Sequence, residues 1–309
     1  MVRELDLLPV FQVVITILTF ILCYIWSVLR HDVDSVFPFI SDTGANSPES
    51  CLFSQLLNVS AFLTLFIMYA RYKSVEARLA EDVHVDHKWL TRLSKGSTVI
   101  GMLAAFGVSL VANFQDNSEL SAVHFTGAVL AFGPGVLYCL LQSVLSYLMC
   151  PRYNTVAVCR VRLAITVFCI AAAIVMAVSW ITASQLRPSD LNSHKDLKWK
   201  PEYPGYTAHL FSTAFEWILS CGFFCFFLTY IGEFNKLELN VTARLLAPEL
   251  DLEIGRARQL NGIHNVAGRR IEAAQPSINA PDFGHGSSEE AGERTRLLNQ
   301  QTQGGGAFV

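Results

Sequence analysis

An ionisable side chain inside a long apolar run can do chemistry that the same group on a surface cannot. Glu216 lies eight positions into the apolar stretch 208–231, about 12 Å along a helix that rises ~1.5 Å per residue. A carboxyl at that depth is costly in hydrocarbon and is expected to face the interior of a bundle. Gln55, Asn58, Gln142 and His124, on other apolar stretches, are the candidates to meet it. Two chemistries fit. The group is a hydrogen-bond cluster that clamps helices together, or it is an intramembrane site for a lipid or a proton. His209 reads as an interface residue rather than a ligand.

A second place with polar chemistry is the stretch Pro38-Phe39-Ile40-Ser41-Asp42-Thr43-Gly44-Ala45, followed by Pro48-Glu49. Two prolines, Gly44 and Asp42 predict a compact turn rather than a helix, with Asp42 accepting from local backbone amides. Glu49 stands just before the next apolar stretch, where a carboxylate favours the positive end of a helix. The functional alternative is a polar lid at a membrane surface, built from Pro38, Ser41, Asp42, Thr43, Gly44, Pro48 and Glu49, that binds a lipid headgroup or a partner.

A third is near the end of the chain. Glu293 precedes Leu297-Leu298 by four residues, the spacing of acidic dileucine sorting signals. An extended peptide of this kind places two leucines in an apolar pocket of a clathrin adaptor and its carboxylate near a basic patch. Phe234-Asn235-Lys236-Leu237 fits a loose aromatic-x-x-aliphatic docking pattern, but so close to an apolar stretch it reads as helical. Among eight cysteines, Cys23, Cys139, Cys169, Cys221 and Cys225 fall in apolar stretches and behave as small hydrophobes. Cys150 and Cys159 border them, as free thiols or acylation sites. Cys221 and Cys225 share a helix face without a His or carboxylate to complete a zinc site. No P-loop, paired metal histidines or nucleophile elbow is present. No enzyme activity, catalytic residue, metal or cofactor is expected.

The elements that must position these groups follow from composition. The 309 residues are 52% hydrophobic and 16% charged, against about 25% charged in soluble domains. Six runs reach the roughly 20 apolar residues that cross a bilayer, at about 9–29, 51–71, 97–114, 124–149, 161–183 and 208–231. With no water to satisfy the backbone, such runs must be helices. The reading is an all-α polytopic membrane protein, with one six-helix bundle over 1–234. The first run has Glu4 and Asp6 beside Arg3 and is too long for a signal-peptide core, so it reads as a retained anchor. Pro134 is expected to bend the fourth helix, and Gly127, Gly133 and Gly135 to permit close helix approach. Residues 235–309 form a tail: 235–260 can make a short amphipathic helix, and 275–309 have too few large apolar side chains to fold.

Lys and Arg counts set an orientation. Arg71, Lys73, Arg78, Lys88, Arg92 and Lys95 lie between the second and third runs, and Arg152, Arg160 and Arg162 between the fourth and fifth. The opposite side has Arg30 in its first connection and Arg187, Lys195, Lys198 and Lys200 in its last. Both termini, the basic loops and the tail are therefore expected in the cytosol, with the 30–48 loop luminal. The sequons at Asn58 and Asn240 are then expected to go unused. A net charge of −3 gives no reason to expect nucleic acid.

Several strings carry a family likeness. PFISDTGANSPESCLFSQLLN from Pro38, Val111-Ala112-Asn113-Phe114-Gln115, Thr126-Gly127-Ala128-Val129 with Phe132-Gly133, Glu216-Trp217 and Phe227-Leu228-Thr229-Tyr230-Ile231 together resemble the DRAM family, the damage-regulated autophagy modulators. The likeness covers roughly residues 10–235. The ending Glu293-Arg294-Thr295-Arg296-Leu297-Leu298 is similar to that of the family's second paralogue, although the tail before it is longer and closes in Gly304-Gly305-Gly306. The resemblance implies a six-helix protein of lysosomal and endosomal membranes that promotes autophagy, tied in some members to stress-induced apoptosis. Its implied partners are autophagy machinery and membrane lipids. The wider superfamily's lipid connections imply an alternative, a lipid transporter, scramblase or remodelling factor. The resemblance supplies no catalytic residues.

Overall fold

The computed structural model describes residues 5–81, 88–116, 119–187, 198–238, 255–261 and 263. Among them the chain is all-helical. Its order is α1 (Leu7–Leu29), a 3-10 turn (Asp42–Gly44), α2 (Glu49–Ala80), α3 (Lys88–Asn113), α4 (Ser121–Leu148), α5 (Val156–Leu186), α6 (Tyr206–Leu228) and the short α7 (Ile231–Phe234). The chain divides into a unit over Met1–Val241 and another over Thr242–Val309. In the second unit, 255–261 is helical. The dileucine residues Glu293, Leu297 and Leu298 and the stretch 275–309 lie outside the described residues, as does Asn240.

Among the described residues, six helices are long and apolar enough to cross a membrane. Several outrun the apolar stretches that announce them: α2 continues beyond Arg71 to Ala80, and α3 begins at Lys88. These extensions are still packed. Val75 and Leu79 of α2 bury against Leu90 of α3 and Leu145 and Met149 at the end of α4.

The side-chain distribution suits hydrocarbon. Large apolar residues such as Phe11, Phe62, Phe106, Val167 and Phe168 point outward. Small polar ones such as Thr16, Ser60, Ser97, Ser143 and Thr166 are buried between helices. Lipid gives apolar side chains no reason to turn inward, so small residues and hydrogen bonds hold the helices together. Thr16 with Ser60 links α1 to α2, and Ser143 with Thr166 (2.9 Å) links α4 to α5.

A close backbone approach joins α3 to α4. A Cβ on Gly107 would sit 2.4 Å from the Ala131 amide nitrogen and 2.6 Å from the Gly127 carbonyl oxygen, whereas one on Gly133 would meet nothing within 4 Å. Helix α4 runs unbroken through Pro134. Because backbone cannot give way as a side-chain tip can, Gly107→Val must push the helices apart. The expected cost is about 1–3 kcal/mol or more, visible as a lowered unfolding midpoint of detergent-purified protein. Gly133→Ala should leave the midpoint unchanged.

Candidate functional site

Two polar assemblies stand at opposite ends of the bundle. At the end carrying the 30–48 loop, that loop folds back over the helices. Pro38, Asp42, Thr43, Gly44 and Ala45 are buried, although most loops keep their backbone on the surface. Helix α6 holds the loop through two bonds: the Trp217 indole Nε1 donates to the Pro38 carbonyl (2.9 Å), and the Ile40 amide donates to Glu216 Oε2 (2.7 Å). Phe39 meets His209 edge-on, and His209 stacks on Trp199 at 4.4 Å between ring centroids. The Trp199 amide donates to Asp34 Oδ2 (3.0 Å). On the other side Tyr24 donates to the Ser35 carbonyl (2.7 Å). The loop is therefore a plug seated in the mouth of the bundle.

The loop residues named from sequence have divided roles. The stretch includes one 3-10 turn at Asp42–Gly44, which corrects the expectation of a turn without helix. Thr43 makes a local side-chain bond, its Oγ1 donating to the Ile40 carbonyl (2.7 Å), and the Phe39 backbone lies within hydrogen-bonding reach of the Asp42 carboxyl. Gly44 lies against Phe53, Ser41 lines a cavity beneath the plug, and Pro48 is exposed. Glu49, fully buried at the start of α2, sits 3.2 Å from Arg30 Nε. Burial, with Asp116 and Glu216 nearby, pushes the Asp42 carboxyl well above the usual carboxylate range. Its neutral form is thus favoured in the folded protein. Below the unfolded carboxylate pKa both states are protonated and Asp42 costs nothing; as pH rises toward the folded value the penalty grows. Asp42→Asn is expected to match wild type near pH 4 and to unfold at a higher temperature near pH 7, read by paired melts.

The cavity under the plug measures about 140 Å³. Phe20, Leu57, Val108, Phe132 and Phe223 supply apolar wall, and Glu216 and His124 lie on it. His124 Nδ1 pairs with the Phe114 carbonyl (2.6 Å).

The expected polar group around Glu216 does not assemble. Asn58 bonds Asn113 (2.9 Å) and Ser109 (2.7 Å) between α2 and α3. Gln55 is exposed. Gln142 is at the other end. The reason is depth: Glu216 is ten residues into α6 from the plug side and Gln142 twenty-one into α4, so at ~1.5 Å per residue they differ by about 16 Å.

Gln142 belongs instead to the second assembly, at the end where α7 begins. Its Oε1 accepts from Arg71 Nε (3.2 Å), and its Nε2 donates to Ser97 (2.9 Å). Glu233 bridges two arginines: Arg71 Nη1 on one oxygen and Arg162 Nη1 on the other at 2.8 Å. Both arginine side chains are wholly buried. Arg162 also donates to Ser146 (2.7 Å) and Thr229 (2.9 Å). Both guanidiniums lie over the Tyr230 ring, and Tyr230 pairs with Tyr138 (3.1 Å). The assembly clamps α2, α4, α5 and α7 at one point.

Sequence reasoning missed this clamp because it counted Arg71 and Arg162 as loop charges. A signal was present in the helical phase. Ile67, Arg71, Ser74, Val75 and Arg78 recur at helical spacing, and the first four are buried, whereas Lys73 and Glu76 fall off that face. Without these two arginines the basic excess of the same loops persists in Lys73, Arg78, Lys88, Arg92, Lys95, Arg152 and Arg160. All eight cysteines are free.

Comparison with known proteins gives a consistent set. A family model described as the Frag1/DRAM/Sfk1/Cwh43P N-terminal domain matches residues 5–237. The mouse protein named DNA damage-regulated autophagy modulator protein 2 is 44% identical over 246 residues, 79% of this chain and 88% of that protein. The human protein named DNA damage-regulated autophagy modulator protein 1 is 35% identical over 243 residues, 79% of this chain and 96% of that one. A frog protein, Modulator of macroautophagy TMEM150B of Xenopus tropicalis, is 36% identical over 142 residues, 46% of this chain and 57% of its own. No solved structure matches.

Proposed function

The chain belongs to the Frag1/DRAM/Sfk1/Cwh43P family, and from that premise we propose that this multi-pass membrane protein promotes autophagy as a regulator rather than an enzyme. The observation that carries the reading is the similarity of most of the chain to relatives named for autophagy modulation. The geometry supports it: the clamp ties α2, the first part of α5 and α7 together at one end of the bundle. In the orientation given by the basic loops, that end faces the cytosol, where autophagy machinery is reached, and the plug faces the lumen. Residence in lysosomal membranes, with endosomal pools, and a link to stress-induced apoptosis complete the reading.

The test is autophagic flux in cells lacking the protein, measured as cargo turnover with and without a lysosomal inhibitor. Re-expression should restore flux. Unchanged flux on removal and re-expression would sink the proposal.

Location has its own test. Adaptor recognition of Glu293, Leu297 and Leu298 would hold the protein in endolysosomal membranes. Leu297→Ala with Leu298→Ala should raise the cell-surface fraction several-fold by surface biotinylation, at unchanged total abundance. An unchanged distribution would remove the sorting role of these residues and leave the autophagy reading intact.

A further inference from the structure

Beneath the plug, the cavity runs along α6 from Glu216 to Phe227, eleven residues or about 16 Å at ~1.5 Å per residue. Its walls come from α1, the 30–48 loop, α2, α3, α4 and α6. The carboxyl of Glu216 stands near one end. The residue is 8% exposed, and one oxygen is taken by the Ile40 amide. Among the described residues no cation lies within ion-pair distance of it. Asp116 adds negative potential nearby, and Arg187 acts on Asp42 rather than on Glu216. A buried carboxylate with no counter-charge is among the most expensive groups in a protein interior. On the same cavity wall Gln12 leaves its Oε1 buried with no partner.

These features select the occupant. A divalent metal needs several oxygen ligands, and no group of three His, Cys, Asp or Glu suited to a metal occurs among the described residues. An anionic head would meet a second negative charge. A cationic head supplies the missing counter-charge and a strong donor for the open carboxylate oxygen. The volume limits the rest. About 140 Å³ resembles the engineered apolar cavity of ~150 Å³ that takes a single benzene. That is room for the head and first methylenes of one chain, and too little for two chains or a fused-ring body.

We propose that this cavity is a binding site for a single-chain primary amine, its ammonium group held by Glu216 and its first methylenes packed against Phe20, Phe132 and Phe223. The site is independent of the autophagy reading.

The test uses the full chain in lipid nanodiscs and radiolabelled octylamine as the probe, with unlabelled octanol and octanoate as competitors. Glu216→Gln keeps an acceptor for the Ile40 amide and removes only the charge. Octylamine should bind wild type about tenfold or more tightly than Glu216→Gln, a difference worth about 1.4 kcal/mol. Octanol should compete weakly, and octanoate should not compete. Equal octylamine binding to both proteins overturns the proposal. Octanol competing as well as unlabelled octylamine also overturns it, in favour of a neutral hydroxyl ligand. Should Glu216→Gln fail to fold, Ala105→Leu narrows the cavity and leaves Glu216 in place. Retained octylamine binding in that variant overturns the proposal as well.

Discussion

Glu233→Gln is expected to be among the most damaging single substitutions in the bundle. Glu233 is the shared counter-ion of Arg71 and Arg162, both without exposed side-chain surface. Its loss leaves two buried guanidiniums, both over the Tyr230 ring, without a counter-ion, and Arg71 already has one buried nitrogen with no partner. Breaking a buried pair from one side costs about 3–5 kcal/mol, chiefly the penalty of the charge left behind. The purified variant should show a much lower unfolding midpoint and a reduced yield. The sharper measurement removes all three charges. Arg71→Met, Glu233→Leu and Arg162→Met together leave no uncompensated ion, so the triple variant should recover a large part of the loss. A triple variant as unstable as the single one would mean that the clamp acts through its hydrogen bonds to Gln142, Ser146 and Thr229 rather than through charge balance.

The contrast between the two assemblies explains what was legible in the sequence. The six spans were, because an apolar run of bilayer length has few alternatives in hydrocarbon. Their ends were not: hydropathy measures the membrane core, whereas α2 continues to Ala80 because Ser74, Val75 and Leu79 still have a surface to bury against. Glu216 was legible as a buried ionisable residue, since depth along one helix needs no knowledge of the others. Its partner was not. Sequence offered Asn58 and Gln142, while the bond went to a backbone amide of the 30–48 loop 176 residues away, and a backbone donor has no residue type to search for. The same limit hid the role of Arg71, which by type reads as a loop charge and by helical phase belongs to the buried face.

Residue type also understates the plug, whose seating rests on the residue with no side chain. A Cβ on Gly44 would lie 2.3 Å from Phe53 Cγ and 2.7 Å from Phe53 Cβ. These atoms are close to the α2 backbone, so no rotation of the ring makes room. Gly44→Val is therefore expected to unseat the loop and weaken the bonds from Ile40 to Glu216 and from Trp217 to Pro38. A thiol placed at Ser41, half-buried on the cavity wall, reports this directly. In Ser41→Cys protein whose exposed Cys51, Cys221 and Cys225 are replaced by Ser, membrane-impermeant maleimide applied to solubilised bundles should label slowly, and Gly44→Val should raise the rate by about tenfold, the change expected if the closed form loses about 1.4 kcal/mol. Phe53→Ala removes the ring atoms of the collision and keeps the Cβ at 2.7 Å, at the expense of a cavity. Combined with Gly44→Val it should lower the labelling rate part of the way, and the double-mutant cycle isolates the share of the Gly44–Phe53 contact that the ring contributes. Additive effects would show that the two residues act separately, and that the plug is held by α6 rather than by its fit against α2.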